Sequence, residues 1–247
     1  MSQLCGCFRL AAAVGAAAAV LAVAGCGTSG TGGTSGTSGT SDPLSGMSAK
    51  QIGTKAIADL KSAPSFTVRG SGPEGGQTVS IDLGFRGGKD CEGSVSLASE
   101  GGVAITVIGS TAWVKLDARF WKAEGGSDGA EEARLFAGKY FKAPITNHDV
   151  SQLASVCDVS HLTSQMSLPT DTARGRFTMV GGQRVVTLTD KAKDSTMYVT
   201  DTATPRIVKV VSKEPGNGGQ FSIAYGVPAT ITAPPASETV SGSQFGF

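Results

Sequence analysis

The chain has 247 residues, with 21 basic and 20 acidic side chains and a formal net charge of +1. No basic run or patch stands out, so the usual electrostatic footprint of nucleic-acid binding or anionic-membrane binding is missing. Whatever this protein binds, net charge is not the lure.

The chain opens with MSQLCGCFR, and a single positive charge, Arg9, precedes 14 apolar residues that read LAAAVGAAAAVLAV. A bilayer-spanning helix needs about 20 such residues, so this run fits the apolar centre of a secretory signal. The run ends Val23-Ala24-Gly25-Cys26. Small residues before a cysteine let a processing enzyme reach a strong nucleophile. The ending is similar to the lipobox of bacterial lipoproteins, which implies cleavage after Gly25 and lipid (palmitate-type) attachment to Cys26. The alternative is an uncleaved anchor helix with an incidental cysteine. Residues 27–41 contain only Gly, Ser and Thr. Such a stretch cannot bury apolar surface and is expected to act as a tether averaging roughly 20 Å end to end. The G-x-G-x-x-G match at residues 25–30 lacks the preceding strand and following helix of a dinucleotide site and is compositional.

The expected organisation is therefore a signal peptide at 1–25, a lipidated and disordered tether at 26–46, one domain at 47–236 and a tail at 237–247. Ser48 is a candidate N-cap, and Ile52, Ala56 and Leu60 recur at helical spacing, with Ile57 beside them, until Pro64. The spacing predicts one helix of about 14 residues. The period then changes to two. Five segments, SFTVRGSG, QTVSIDLGFR, CEGSVSLA, GVAITVIG and TAWVKL, are separated by Gly-rich turns, the first at residues 72–76. Val79, Ile81, Leu83 and Phe85 share one face, while Ser80, Asp82 and Arg86 take the other, as in an antiparallel sheet with one covered face.

The middle is different. Phe120, Trp121, Leu135, Phe136, Tyr140 and Phe141 fall in two stretches that read as short helices, and Glu131 and Glu132 suit a helix start. A further helix is expected where Val150, Leu153, Val156 and Cys157 recur, with Asn147 or Asp149 as its cap. Five more strands follow: ARGRFTMV, QRVVTLTD, STMYVTD, PRIVKVVS and QFSIAYG. About ten strands in one meander would curl rather than stay flat, and the few helices are expected on the inside of the curve. The fold class is thus α+β, a curved antiparallel half-barrel sheet wrapped over a few helices. Whether its interior is filled or holds a cavity stays open at this level.

There are five cysteines. Cys5 and Cys7 leave with the signal and Cys26 takes lipid, so Cys91 and Cys157 remain as an even pair in an exported chain. A disulfide between them is the expectation. The competing reading is a metal site made by Cys91, His148, Cys157 and His161, which contains no C-x-x-C pair. No G-x-S-x-G, H-E-x-x-H or P-loop is present, and neither histidine lies in a recognisable catalytic context. The expectation is a non-enzyme with no cofactor.

Several stretches in this order resemble the LppX/LprG family of actinobacterial lipoproteins, related in fold to the LolA/LolB carriers. They are the lipobox at Cys26, the Ser/Gly/Thr tether, LKSAPSFTVRGSG at 60–72, ITVIGSTAWVKL at 105–116 and AYGVPATITAPPAS at 224–237. The resemblance implies a half-barrel enclosing an apolar cavity. It also implies an envelope protein, lipid-anchored on the extracytoplasmic face of the cell membrane, that binds or carries lipid or glycolipid. Candidate inward residues are Val79, Ile81, Leu83 and Phe85 with Val103, Ile105 and Val107, all of which equally suit ordinary core packing, so no ligand contact is assigned. The alternative function is a ligand-free surface module that binds a protein partner in envelope assembly or sensing. A filled interior, or an exposed patch around Phe120, Trp121, Tyr140 and Phe141, would favour it. A solute receptor with α/β lobes would need alternating strands and helices, which the pattern lacks.

Overall fold

The computed structural model describes residues 42–242 apart from 165, 167, 217 and 227–229. The signal peptide, Gly25, Cys26, the Gly/Ser/Thr stretch and the last five residues lie outside the described residues. Asp42–Phe247 forms a compact unit.

Helix α1 (Ala49–Lys61) starts at Ser48, whose hydroxyl accepts from the Gln51 amide while the Gln51 side chain accepts from the Ser48 amide. This reciprocal cap satisfies two donors that the helix itself leaves unpaired. Ile52, Ala56 and Leu60 are fully buried, so the helical spacing read from sequence is the face that packs.

Among the described residues, twelve strands form one curved sheet. They are β1 (Ser65–Glu74), β2 (Gln77–Arg86), β3 (Asp90–Leu97), β4 (Gly101–Ile108), β5 (Thr111–Leu116), β6 (Tyr140–Pro144), β7 (Ala173–Val180), β8 (Gln183–Asp190), β9 (Ser195–Thr200), β10 (Ile207–Ser212), β11 (Gly219–Tyr225) and β12 (Thr239–Ser241). Three hairpins turn on Gly-Gly pairs, 75–76, 87–88 and 181–182, each with φ between +55° and +84° at both residues. Positive φ at both central positions is what the two-residue hairpins at 75–76 and 181–182 require, and glycine adopts it without steric cost.

The strand order corrects the single-meander expectation. The spatial order is β12-β6-β5-β4-β3-β2-β1-β11-β10-β9-β8-β7. Two meanders, β1 to β6 and β7 to β11, are therefore joined where β1 pairs antiparallel with β11. The expectation of about ten strands also falls short by two. The Tyr140–Pro144 stretch, read as helical from its aromatics, is strand β6, paired with β5 through Val114 and Phe141. The expected tail contributes β12, which pairs parallel with β6. The first Gly-rich turn is tighter than expected, because β1 runs on through Pro73, paired with Thr78.

The remaining helices are α2 (Ala118–Glu124), α3 (Gly129–Leu135), α4 (His148–Ala154) and α5 (Val159–Ser164), with a 3-10 turn at Ser155–Cys157. Glu131 and Glu132 lie in the first turn of α3. Asn147 caps α4 by accepting from the Asp149 and Val150 amides. Asp117 caps α2 through the Phe120 amide at 2.8 Å and also accepts from the Gly102 amide at 2.7 Å, so the cap fastens α2 to the start of β4.

Asp42 and Leu44, placed by sequence in the tether at 26–46, are held by the fold. Leu44 is 1% exposed. Arg174 of β7 donates to the carbonyls of Leu44 and Met47 and pairs with the Asp42 carboxylate at 2.8 Å. A composition shift marks where apolar residues resume, yet a single leucine with one distant arginine is enough to fix the stretch before the helix.

Candidate functional site

The inner face of the sheet is the natural place for a ligand, and its two halves differ. Leu83, Phe85, Val103, Ile105 and Val107 are buried in one contiguous apolar cluster with Ile52, Ala56 and Leu60 of α1, Val150 of α4 and Val159 of α5. The helices lie mainly over β3 to β5 and over β9 and β10. Phe66 of β1 stacks on Phe85 of β2 with ring centroids 4.6 Å apart, and its ring meets Tyr225 of β11 at 6.3 Å. At this end the space between sheet and helices is occupied by side chains.

The other end is more open. Between the two helix-covered regions run β2, β1 and β11, and here Val79, Ile81 and Phe221 are only half-buried, as is Val210 of the adjoining β10. Ile81 and Val210 touch the margin of the core cluster. Register places these residues together: Ile81 lies opposite Gly70, which lies opposite Phe221, which lies opposite Val210. The Phe221 ring rests against Gly70, where a Cβ would come within 2.6 Å of it. The result is a half-buried apolar strip with a glycine at its centre. The four β2 residues share a face, as their alternation predicts. They divide into two packed ones (Leu83, Phe85) and two accessible ones (Val79, Ile81).

Cys91 of β3 and Cys157 of the 3-10 turn form a disulfide with Cα atoms 5.4 Å apart. Both are buried. The bond ties the α4–α5 layer to the sheet and takes both sulfurs out of the metal-ligand set considered with His148 and His161. Among the described residues, no group of three or more His, Cys, Asp or Glu is placed to hold a metal ion.

The aromatic stretch does not form one exposed patch. Trp121, Phe136 and Phe141 pack ring against ring at 5.0 to 5.7 Å. Phe141 is 2% exposed. Tyr140, one residue earlier on the same strand, faces the opposite side, where the Lys115 ammonium sits 4.5 Å from its ring centre. Strand β6 therefore sends two adjacent aromatics to opposite faces of the sheet.

On the outer face, residues 233–239 lie along β5 and β6, forming with Trp113 and Lys142 a small open pocket of about 270 Å³. Sequence reasoning missed this feature, because the Pro-rich return gives no sign of what it crosses. A second polar feature lies at the β7 side of the sheet. Arg184 pairs with Asp201 at 3.1 Å, and Asp201 is almost fully buried. Burial, then the hydrogen bond to the Asp42 carboxyl, holds Asp201 above the usual carboxylate range. Burial also acts against Asp42, but the Leu44 amide and Arg174 outweigh it and bring that group below the range. The pair shows how β7, β9 and the first described residues are held together.

No helix among the described residues is long and apolar enough to cross a membrane. No protein-family model and no curated protein sequence matches the chain. Among solved structures, it is similar to LprF from Mycobacterium bovis, with 14% identity over 75% of this chain and 96% of that one and a TM-score of 0.49. It is also similar to the lipoprotein LppX from Mycobacterium tuberculosis, with 15% identity over 74% of this chain and 98% of that one and a TM-score of 0.47. A third likeness is to the MucA/MucB complex structure from Pseudomonas aeruginosa, with 15% identity over 76% of this chain and 59% of that one and a TM-score of 0.33. With each of these TM-scores below 0.5, the likenesses carry no functional weight for this chain.

Proposed function

We propose that the chain is a non-catalytic, lipid-anchored protein of the cell envelope that binds a lipid or other hydrophobic ligand at the open end of its concave face. The observation that supports this most is the half-buried set Val79, Ile81, Val210 and Phe221, left accessible where the covering helices stop. Each methylene buried from water contributes about 0.8 kcal/mol, so an acyl chain laid along such a floor gains affinity from area, with few fixed polar contacts. The anchor would be Cys26, freed by cleavage after Gly25, holding the domain at the extracytoplasmic face of the membrane.

The packed state of the rest of the interior favours a second reading, a ligand-free module that binds a protein partner. One experiment separates the two. The unit beginning at Asp42, secreted by a bacterial host with an oxidising envelope, is measured by native mass spectrometry and solvent extraction. A stoichiometric co-purifying lipid supports the first reading. A bare protein mass that takes up no lipid from membrane extract leaves the second.

A further inference from the structure

We propose that the free edge of β7 is a docking strand for an extended, acidic segment of another protein, which adds to the sheet as a thirteenth strand. This site is separate from the half-buried apolar strip, and the proposal does not depend on the lipid reading.

Strand β7 ends the sheet, with β8 on one side and no strand on the other among the described residues. Every residue from 175 to 179 is exposed, including Phe177 at 36% and Met179 at 61%. Sheet edges normally carry a device against pairing, such as a proline, an inward charge or a bulge. Here the register shift lies between Arg174 and Phe177, and residues 177–180 then pair with 183–186 in unbroken register. The stretch FTMV is thus regular, largely apolar and free of proline. The opposite edge, β12, has only three residues and offers far less.

The charge around this edge selects the occupant. Strand β7 contains Arg174 and Arg176 and no acid. Arg174 is engaged by Asp42, and Arg184 by Asp201 while its guanidinium also covers the Phe177 ring at 4.0 Å. Arg176 has no ion pair among the described residues and is exposed. An added strand obtains affinity from main-chain hydrogen bonds and selectivity from the side chains it meets. Alternating apolar and acidic residues would meet Phe177 and Met179 with one set and Arg176 with the other. A second copy of this chain paired through its own β7 would bring another Arg176 to the same place, with Asp42 and Asp201 already engaged by Arg174 and Arg184, which like-charge repulsion disfavours.

The test uses the full chain in detergent micelles with a fluorescein-labelled octapeptide of alternating valine and glutamate. Anisotropy reads binding, and amide hydrogen exchange reads its location. The expected result is slowed exchange at residues 175–180 on peptide addition. Arg176→Glu is expected to weaken binding at least tenfold, with the unfolding midpoint unchanged because the side chain is exposed. A valine–lysine octapeptide is expected not to bind. The proposal is overturned if exchange at β7 does not change, if Arg176→Glu binds as well as the parent, or if β7 is already protected in a peptide-free dimer.

Discussion

Gly70 of β1 and Phe221 of β11 face each other across the seam that joins the two meanders, and no side chain fits at Gly70. A Cβ there would lie 2.1 Å from the Gln220 carbonyl oxygen and 2.7 Å from the Phe221 Cα, both backbone atoms that cannot turn aside. Gly70→Ala is therefore expected to part the seam locally, with a loss of about 1–3 kcal/mol, the range for overpacked sites. Urea unfolding checks this. Lys213→Ala, on the loop after β10, is the control, with an expected change within about 0.5 kcal/mol.

The Cys91–Cys157 bond joins residues 66 apart in sequence. In the chain-entropy model such a loop contributes about 4 kcal/mol by restricting the unfolded chain. The Cys91→Ala/Cys157→Ala double variant is expected to lose about 2–4 kcal/mol in denaturant unfolding. Both sulfurs are buried, so reduction of the parent should be slow until the 3-10 turn opens, and a thiol-labelling time course would measure that opening.

Leu44 and Arg174 together predict that the folded unit begins at residue 42. Leu44→Ala removes a fully buried side chain and is expected to cost about 2–4 kcal/mol. Deleting residues 1–41 is expected to leave the unfolding midpoint unchanged, whereas deleting residues 1–47 lowers it. Thermal unfolding of the two truncations distinguishes them.

Asp90 accepts from Arg86 at 2.9 Å and from the Gly109 amide at 3.1 Å, and these bonds, the first foremost, hold its carboxyl below the usual range. A carboxyl lowered by folding stabilises the native state above its unfolded pKa, near 4, and loses that contribution as pH falls through the folded value. Asp90→Asn should therefore be less stable than the parent at pH 6, by up to about 1 kcal/mol for a partly exposed pair. The two curves should converge as pH falls below the lowered folded value. Urea midpoints measured from neutral pH down to that limit test the sign.

Cys26→Ser is expected to abolish incorporation of labelled palmitate and to move the protein from the membrane fraction into the medium. Retention in the membrane without label would point to the uncleaved-anchor alternative instead.

Much of the fold is legible in the sequence, for particular reasons. The ten period-two segments all appear as strands, and Ser48 and Asn147 announce their helices by chemistry that acts within three residues. What the sequence hides is non-local. The pairing of Phe66 with Tyr225 joins residues at opposite ends of the domain, and nothing in either alternation names its partner. Strand β6 is masked because YFKAP follows a helix closely and carries the aromatics that also suit one. Strand β12 is three residues long, too short for any period to register. For the candidate ligand strip, the alternation that aligns Val79, Ile81, Leu83 and Phe85 cannot say where along a strand the covering helices end. That boundary depends on how the helices cross the sheet, and it separates a core residue from an accessible one.

The most direct test of the proposed ligand site is a two-dimensional methyl NMR titration of the unit beginning at Asp42 with oleate below its critical micelle concentration. The account predicts saturable shifts in the methyls of Val79, Ile81 and Val210, and their loss in Phe221→Asp. The methyls of Leu83 and Val114, both buried in the packed core, should stay unmoved. Shifts absent at the methyls of these three residues, or unchanged in that variant, would contradict it.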